Sequence, residues 1–427
     1  MKIEDLYEIY KSHNVISTDT RTIGNGCIFF ALKGDNFNGN KYAKDALKKG
    51  ASYVIIDEEE YNTSNNHILV ADVLKTLQDL ANYHRKQFNI PFIGITGTNG
   101  KTTTKEFINA VLSKKYKTAY TKGNLNNHIG VPLTLLSIPD DCEMAIIEMG
   151  ANHIGEIDFL CKIAAPNFGI ITNIGTAHIE GFGSVENIIK TKSELYKYIQ
   201  TVKGSVFINN EDELLVDLAK ELKKISYGNS DSDCVGKLLS STPAVKLEWE
   251  DQSIISNLYG SYNYDNILAA ICIGNYFKVS PDSIKNAIEE YYPTNNRSQI
   301  INTNSNTLFL DAYNANPTSM NAAIEAFSEN DAKNKLMLLG DMLELGDISK
   351  EEHQKIVNKT KALNINAIFI GNEFNAINNK FNYTYLENVD QVIEWLKHSG
   401  LTNHQILIKG SRGIRLEQSA TFLQQNS

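Results

Sequence analysis

The sequence predicts an α/β protein of three domains, the central one built on a mostly parallel sheet flanked by helices. Three observations predict it. The chain has 427 residues, and at about 150 residues per domain that length suggests roughly three. Short runs apolar on both faces alternate with helical patterns, as expected of parallel strands covered by helices on both sides. A glycine-rich loop lies between one such strand and the helix after it, where backbone N–H groups and a helix N-terminus can face an anion.

The first segment, residues 1–88, offers apolar runs at 27–32 and 52–56 as strands and patterns at 42–49 and 73–87 as helices. The turn-forming stretch 33–40 between the strands reads as an ordered loop. Pro91 marks a break, and a second segment, 89–295, follows with strands at 92–95, 144–147, 168–171 and 206–208. Val245, Leu247 and Trp249 alternate before Asp251 and Gln252, which predicts a peripheral hairpin. A helix at 262–277 leads to a linker at 292–296. The third segment, 296–427, repeats strand and helix as a Rossmann-like unit. Its strands fall at 307–310, 336–339, 367–370 and 406–408, with helices at 320–327, 351–362, 389–397 and 413–423.

With 41 basic and 50 acidic side chains and a net charge of −9, the chain lacks the basic footprint of a nucleic-acid binder. The short clusters Lys48-Lys49 and Lys114-Lys115-Tyr116-Lys117 read as solvated helix ends. No run approaches the ~18 apolar residues that span a bilayer, and the charged N-terminus has no signal-peptide core. The scattered Cys27, Cys142, Cys161, Cys234 and Cys272 fit buried reduced thiols and a cytoplasmic protein.

The strongest local signal is Gly94-Ile95-Thr96-Gly97-Thr98-Asn99-Gly100-Lys101-Thr102-Thr103. It departs from a strict P-loop, whose first glycine would fall at Ile95. Its position between a strand and a helix nonetheless points to a nucleoside triphosphate, with Lys101 on the phosphates and the Thr102 hydroxyl on Mg²⁺. No Asn-Lys-x-Asp motif marks a GTPase. Glu148, at the end of a neighbouring strand, is placed to hold Mg²⁺. His178, among small and turn residues, could ligate metal, orient substrate or be a hydrogen-bonded structural histidine. Lys190, Lys192 and Lys197 read as a solvated helix face. The amides of Asn124, Asn126 and Asn127 could bind phosphate or sugar, or form a self-bonded turn.

The phosphate loop Gly97-Thr98-Asn99-Gly100-Lys101-Thr102 resembles that of the Mur ligases, ATP-dependent amino-acid ligases of peptidoglycan synthesis. Gly123-Asn124-Leu125-Asn126-Asn127-His128, Glu148-Met149-Gly150-Ala151-Asn152-His153 and Asp311-Ala312-Tyr313-Asn314-Ala315-Asn316-Pro317 resemble the branch that adds a dipeptide. So do Gly340-Asp341-Met342-Leu343-Glu344-Leu345-Gly346, Lys409-Gly410-Ser411-Arg412 and Asp19-Thr20-Arg21. The resemblance implies ATP and Mg²⁺ as cofactors, with UDP-N-acetylmuramoyl-tripeptide and D-alanyl-D-alanine as substrates. It places Gly97, Thr98, Asn99, Gly100, Lys101, Thr102 and Thr103 on the nucleotide, together with Asn266, Arg297 and Asp311. Thr102, Glu148, His178 and Lys192 would serve the metal, Lys192 as a carbamate, which reverses its reading as a solvated lysine. Lys101, His178 and Lys192 would be the catalytic set. Thr20, Arg21, Lys33, Asn126, Asn127, Asn314 and Arg412 would contact substrate. Residues 1–88 would hold the UDP end, 89–295 ATP and metal, and 296–427 the dipeptide, in a monomer. Many relatives have His-Asn where this chain has Tyr262-Asn263.

Amide formation from a carboxylate needs activation, and γ-phosphoryl transfer to give an acyl phosphate would supply it. Two alternatives stay open: a Mur-type ligase adding a single amino acid, and a nucleotide-binding regulator without turnover.

Overall fold

A computed structural model describes residues 1–176, 179–377 and 383–426. The amino-terminal sheet has four parallel strands, in the order β1 (Ile16–Ser17), β2 (Ile28–Phe30), β5 (Tyr53–Ile56), β6 (His67–Leu69). The loop expected at 33–40 instead contains a small hairpin, β3 (Lys33–Gly34) with β4 (Phe37–Asn38). It ends in a one-turn helix at Gly39–Tyr42 that Asn38 caps through its side chain. The run expected at 27–32 therefore stops pairing at Phe30.

The central sheet has nine strands. In chain order they are β7 (Phe92–Thr96), β8 (Thr118–Tyr120), β9 (Met144–Glu148), β10 (Phe168–Ile171), β11 (Ser205–Asn209), β12 (Lys223–Gly228), β13 (Cys234–Ser240), β14 (Lys246–Trp249) and β15 (Gln252–Ile255). Their spatial order is β15-β14-β13-β12-β11-β10-β7-β9-β8. From β8 to β13 all pairs are parallel, while β14 and β15 form the expected antiparallel hairpin. Every residue of β7, β9 and β11 is buried, which is why these strands are apolar on both faces. The chain builds β8 and β9 on one side of β7 and then β10 on the other. That reversal opens a crevice at the carboxyl end of β7, where open α/β sheets bind ligands.

The third sheet runs β16-β17-β21-β18-β19-β20, parallel except for β16. Its strands are β16 (Gln299–Asn302), β17 (Thr307–Asp311), β18 (Lys335–Gly340), β19 (Asn366–Ile370), β20 (Thr384–Leu386) and β21 (Gln405–Lys409). The helix expected at 413–423 starts later, at Glu417–Gln425, because Arg415 adopts a left-handed φ of 61° and separates it from a short turn at Arg412–Ile414.

Buried polar links join the segments. Arg85 stacks 3.5 Å over the Phe92 ring and donates to the carbonyls of Ala164 and Ala165. The cluster at 114–117 is more than a solvated end. Lys115 donates to the carbonyls of Phe277 and Lys278, just past the helix Asn263–Tyr276, and so satisfies backbone acceptors there. All five cysteines are buried and unpaired.

Candidate active site

The loop after β7 is shaped by two glycines at which a side chain would be strained and crowded. Gly97 has φ +145°, and a Cβ there would stand 2.0 Å from the Thr172 hydroxyl. Gly100 has φ +79°, and a Cβ there would stand 2.4 Å from Asn266 Oδ1. Gly100 also starts the helix Lys101–Leu112, so the free N–H groups of its first turn face the crevice. The strand on the far side secures the loop. Thr172 donates to the Asn99 carbonyl at 2.6 Å, and Asn173 both accepts from Asn99 N at 3.0 Å and donates back to its carbonyl.

Lys101 Nζ folds over its own loop, donating to the carbonyls of Gly97 (2.7 Å) and Thr98 (2.9 Å). Burial lowers its pKa to about 8, with nearby Arg297 acting in the same direction and Glu148 opposing. Thr102 donates to Glu148 Oε1 at 3.2 Å, and Asn126 donates to the same oxygen at 2.8 Å. Glu148 is 1 % exposed and its Oε2 accepts no hydrogen bond. A buried carboxylate with an unused oxygen beside a threonine hydroxyl is a hard-oxygen donor set that fits Mg²⁺. Among the described residues no cluster of three His, Cys, Asp or Glu side chains could hold a metal by itself.

Lys192 is 3 % exposed, so the solvated reading is wrong for it, though it holds for Lys190 and Lys197, which are exposed. Ile188, Lys192 and Leu195 follow one helical stripe and all are buried. Lys192 Nζ lies 3.4 Å from the Ala151 carbonyl. Burial, reinforced by Lys101, lowers its pKa to about 7. His178, with Ala177, lies outside the described residues.

The third domain closes the crevice. Asn316 caps the helix Pro317–Ser328 and also donates to Asn99 Oδ1 at 2.8 Å, and the Thr176 and Thr318 hydroxyls lie 3.1 Å apart. Asp311 accepts from Lys409 at 2.6 Å and from Ser298 N. Arg297 lies 3.8 Å over the Tyr313 ring, with Arg412 at 5.4 Å from the same ring. Asn266 accepts from Thr104 at 3.0 Å behind the loop. The result is a cavity of about 540 Å³ walled by both domains.

That cavity gathers most of the residues singled out in the sequence. Thr98, Asn99, Gly100, Lys101, Thr102, Thr103, Glu148, Asn126, Asn127, Asn266, Arg297, Asp311 and Asn314 all line it. The side chain of Asn127 accepts from the N–H groups of Ile129 and Gly130, the self-bonded turn that the sequence left open. Asn314 likewise accepts from the N–H of Ala315. Thr20, Arg21 and Lys33 are not brought to the cavity. Arg21 is exposed and held by Asp19, the Thr20 carbonyl accepts from Lys49, and Lys33 pairs with Asp57 at 3.1 Å. Sequence reasoning named Asp311 but missed Asn173, Asn316 and Lys409 as site residues, although Asn316 and Lys409 lie in stretches it had marked. It also missed the buried Lys105.

A phosphate loop at the switch point of a parallel sheet, a carboxylate on the adjacent strand and a third domain closing over both define an ATP-using enzyme. Three family models cover the chain in order: the Mur ligase family catalytic domain over residues 13–85, the Mur ligase middle domain over 95–274, and the Mur ligase glutamate ligase domain over 296–412. The chain belongs to the Mur ligase family, whose members are ATP-dependent ligases that form peptide bonds. It is similar to the UDP-N-acetylmuramoyl-tripeptide–D-alanyl-D-alanine ligase of Bacillus subtilis, 33 % identical with 96 % of this chain and 93 % of that protein covered. It is also similar to a crystal structure of MurF from Acinetobacter baumannii, 29 % identical with a TM-score of 0.86, covering 100 % of this chain and 99 % of that one. The MurF ligase of Thermotoga maritima in complex with ADP is 26 % identical with a TM-score of 0.86, over the same shares of each chain.

Proposed function

We propose that this chain joins D-alanyl-D-alanine to the terminal carboxylate of UDP-N-acetylmuramoyl-tripeptide at the expense of ATP. The observation that carries the reading is the single cavity shared by Lys101, Thr102 and Glu148 from one domain and Asp311, Asn314 and Lys409 from the next. It is supported by full-length similarity to ligases of that name.

In this reading the tripeptide carboxylate attacks the γ-phosphorus, the bond to the β-phosphate oxygen breaks, and ADP departs from an acyl phosphate. The dipeptide amine then attacks the carbonyl carbon and loses a proton, and inorganic phosphate leaves. Lys101 turns from its own carbonyls to the phosphates and offsets charge on the transferring group. Mg²⁺ would be held by Thr102 and Glu148, with His178 and carbamylated Lys192, and supplies electrostatic neutralisation of the phosphates. Arg297, Asp311 and Asn266 position the nucleotide, and Asn126, Asn127, Asn314 and Arg412 the peptide ends. Residues 1–88 take the UDP end through Thr20, Arg21 and Lys33, 89–295 take ATP and metal, and 296–427 bring the dipeptide. Contact between the last two domains excludes water from the acyl phosphate. No described helix is long and apolar enough to cross a membrane, and we place the reaction in the cytoplasm.

Phosphate release tests the acceptor. With ATP and UDP-N-acetylmuramoyl-tripeptide, D-alanyl-D-alanine should give turnover at least about 10²-fold above free D-alanine, L-lysine or diaminopimelate, because an unfilled dipeptide site leaves buried polar groups unpaired. Preference for a single amino acid, or turnover only with folate and glutamate, refutes the assignment.

A further inference from the structure

The helix that starts at the phosphate loop carries a second lysine that never meets the cavity. Lys105 is fully buried and does not line the crevice. It shares the stripe of Ile108 and Leu112, a face that helical periodicity reserves for apolar side chains. Its ammonium lies 3.7 Å from Glu148 Oε2 and 3.1 Å from Glu106 Oε1. Neither Lys105 Nζ nor Glu148 Oε2 has a hydrogen-bond partner. Burying such a charge is costly unless a partner compensates it. The partners here are Glu106 and the carboxylate whose other oxygen is held by Thr102 and Asn126.

We infer that Lys105 is a positioning residue that makes divalent-metal binding at Thr102 and Glu148 depend on arrival of the nucleotide. The inference rests on the reading of that pair as the metal site. An ammonium 3.7 Å behind the carboxylate holds it aimed, and it also repels any second cation that the carboxylate would attract. A lone divalent ion meets that repulsion in full, with Lys101 adding to it from the cavity wall. The same ion carried on a triphosphate brings compensating negative charge and is admitted. Lys101 can act on the phosphates directly. Lys105 does not line the cavity, so it acts from behind Glu148. Glu106 moderates the effect by sharing the ammonium.

The test is a titration of free Mn²⁺, followed by its electron paramagnetic resonance signal, with and without a non-hydrolysable ATP analogue. In Lys105→Met, Mn²⁺ alone should bind about tenfold more tightly than in the unaltered chain, since a nearby like charge is removed. Binding in the presence of the analogue should change by less than about threefold, and Lys105→Arg should behave as the unaltered chain. A structural role alone would weaken metal binding on substitution and would not tighten it. Equal or weaker Mn²⁺ binding by folded Lys105→Met overturns the inference. If that variant does not fold, Glu106→Gln decides: leaving Lys105 wholly to Glu148 should weaken Mn²⁺ binding, and no change or tighter binding overturns it. An unaltered chain that binds no Mn²⁺ even with the analogue would instead reject the metal site, and with it this inference. A wrong acceptor assignment leaves the titration untouched.

Discussion

Lys101→Ala is expected to lower turnover by about 10³-fold, in line with removal of a preorganised charge from a transition state, while leaving binding of the UDP substrate within about threefold. The size follows from position. Lys101 is the cation at the N-terminus of the phosphate-loop helix, and its ammonium already sits over the loop that would cradle the phosphates. Its present acceptors are backbone carbonyls, so engaging phosphate means exchanging two neutral acceptors for charged ones, which form stronger hydrogen bonds. The UDP-binding candidates Thr20, Arg21 and Lys33 lie outside the cavity, which is why substrate affinity should survive. Steady-state phosphate release together with calorimetric binding of the UDP substrate separates the two effects. Retained turnover would remove Lys101 from the phosphate site.

Lys192→Ala is expected to lose at least about 10²-fold in activity, the scale of damage to a metal's ligand shell, and to regain part of it with formate or acetate. The structure supplies what carbamate formation needs. Lys192 is buried, and a pKa near 7 leaves much of the amine uncharged and able to add CO₂ at neutral pH. The same shift has a consequence for stability. The unfolded chain has a lysine pKa of about 10.5, and the folded state about 7. Between those values the unfolded state binds more protons, so stability must rise with pH across that window. Lys101, lowered to about 8, adds in the same direction. In CO₂-free buffer the urea midpoint of the ligand-free chain should increase from pH 7 to pH 9, and Lys192→Met should lose most of its share of that increase. A wild-type rate in Lys192→Ala, or an identical pH dependence in Lys192→Met, would return Lys192 to an ordinary structural lysine.

Legibility in the sequence followed burial. Strands β7, β9, β10 and β11 stand in the middle of the sheet, apolar on both faces, and were readable as short continuous runs. Strand β8 at the edge reads Thr118-Ala119-Tyr120 and is half-buried throughout. Strand β12 opens with two exposed lysines, and β16 has no fully buried residue. Such strands, β8 and β16 at sheet edges and β12 towards the hairpin end, have little apolar signal, and their pairing partners define them. Within the site, Lys101, Thr102 and Glu148 were visible because strand ends and a glycine-rich turn fix their chemistry locally. The burial of Lys192 and Lys105 was not read, although each continues an apolar helical stripe. A long cation on such a stripe usually snorkels to solvent, and only the packing of neighbouring elements decides that these two do not. The pairing of Lys409 with Asp311 joins residues on adjacent strands β21 and β17 that are distant in sequence, so no local pattern contained it.

The central claim is that the peptide carboxylate itself attacks the γ-phosphorus and so becomes the acyl phosphate on which the amine acts. Labelling that carboxylate with ¹⁸O and running one round of ligation with ATP and D-alanyl-D-alanine tests it by mass spectrometry of the released phosphate. One ¹⁸O atom should be transferred to inorganic phosphate for each amide bond formed. Unlabelled phosphate alongside ligated product would contradict it.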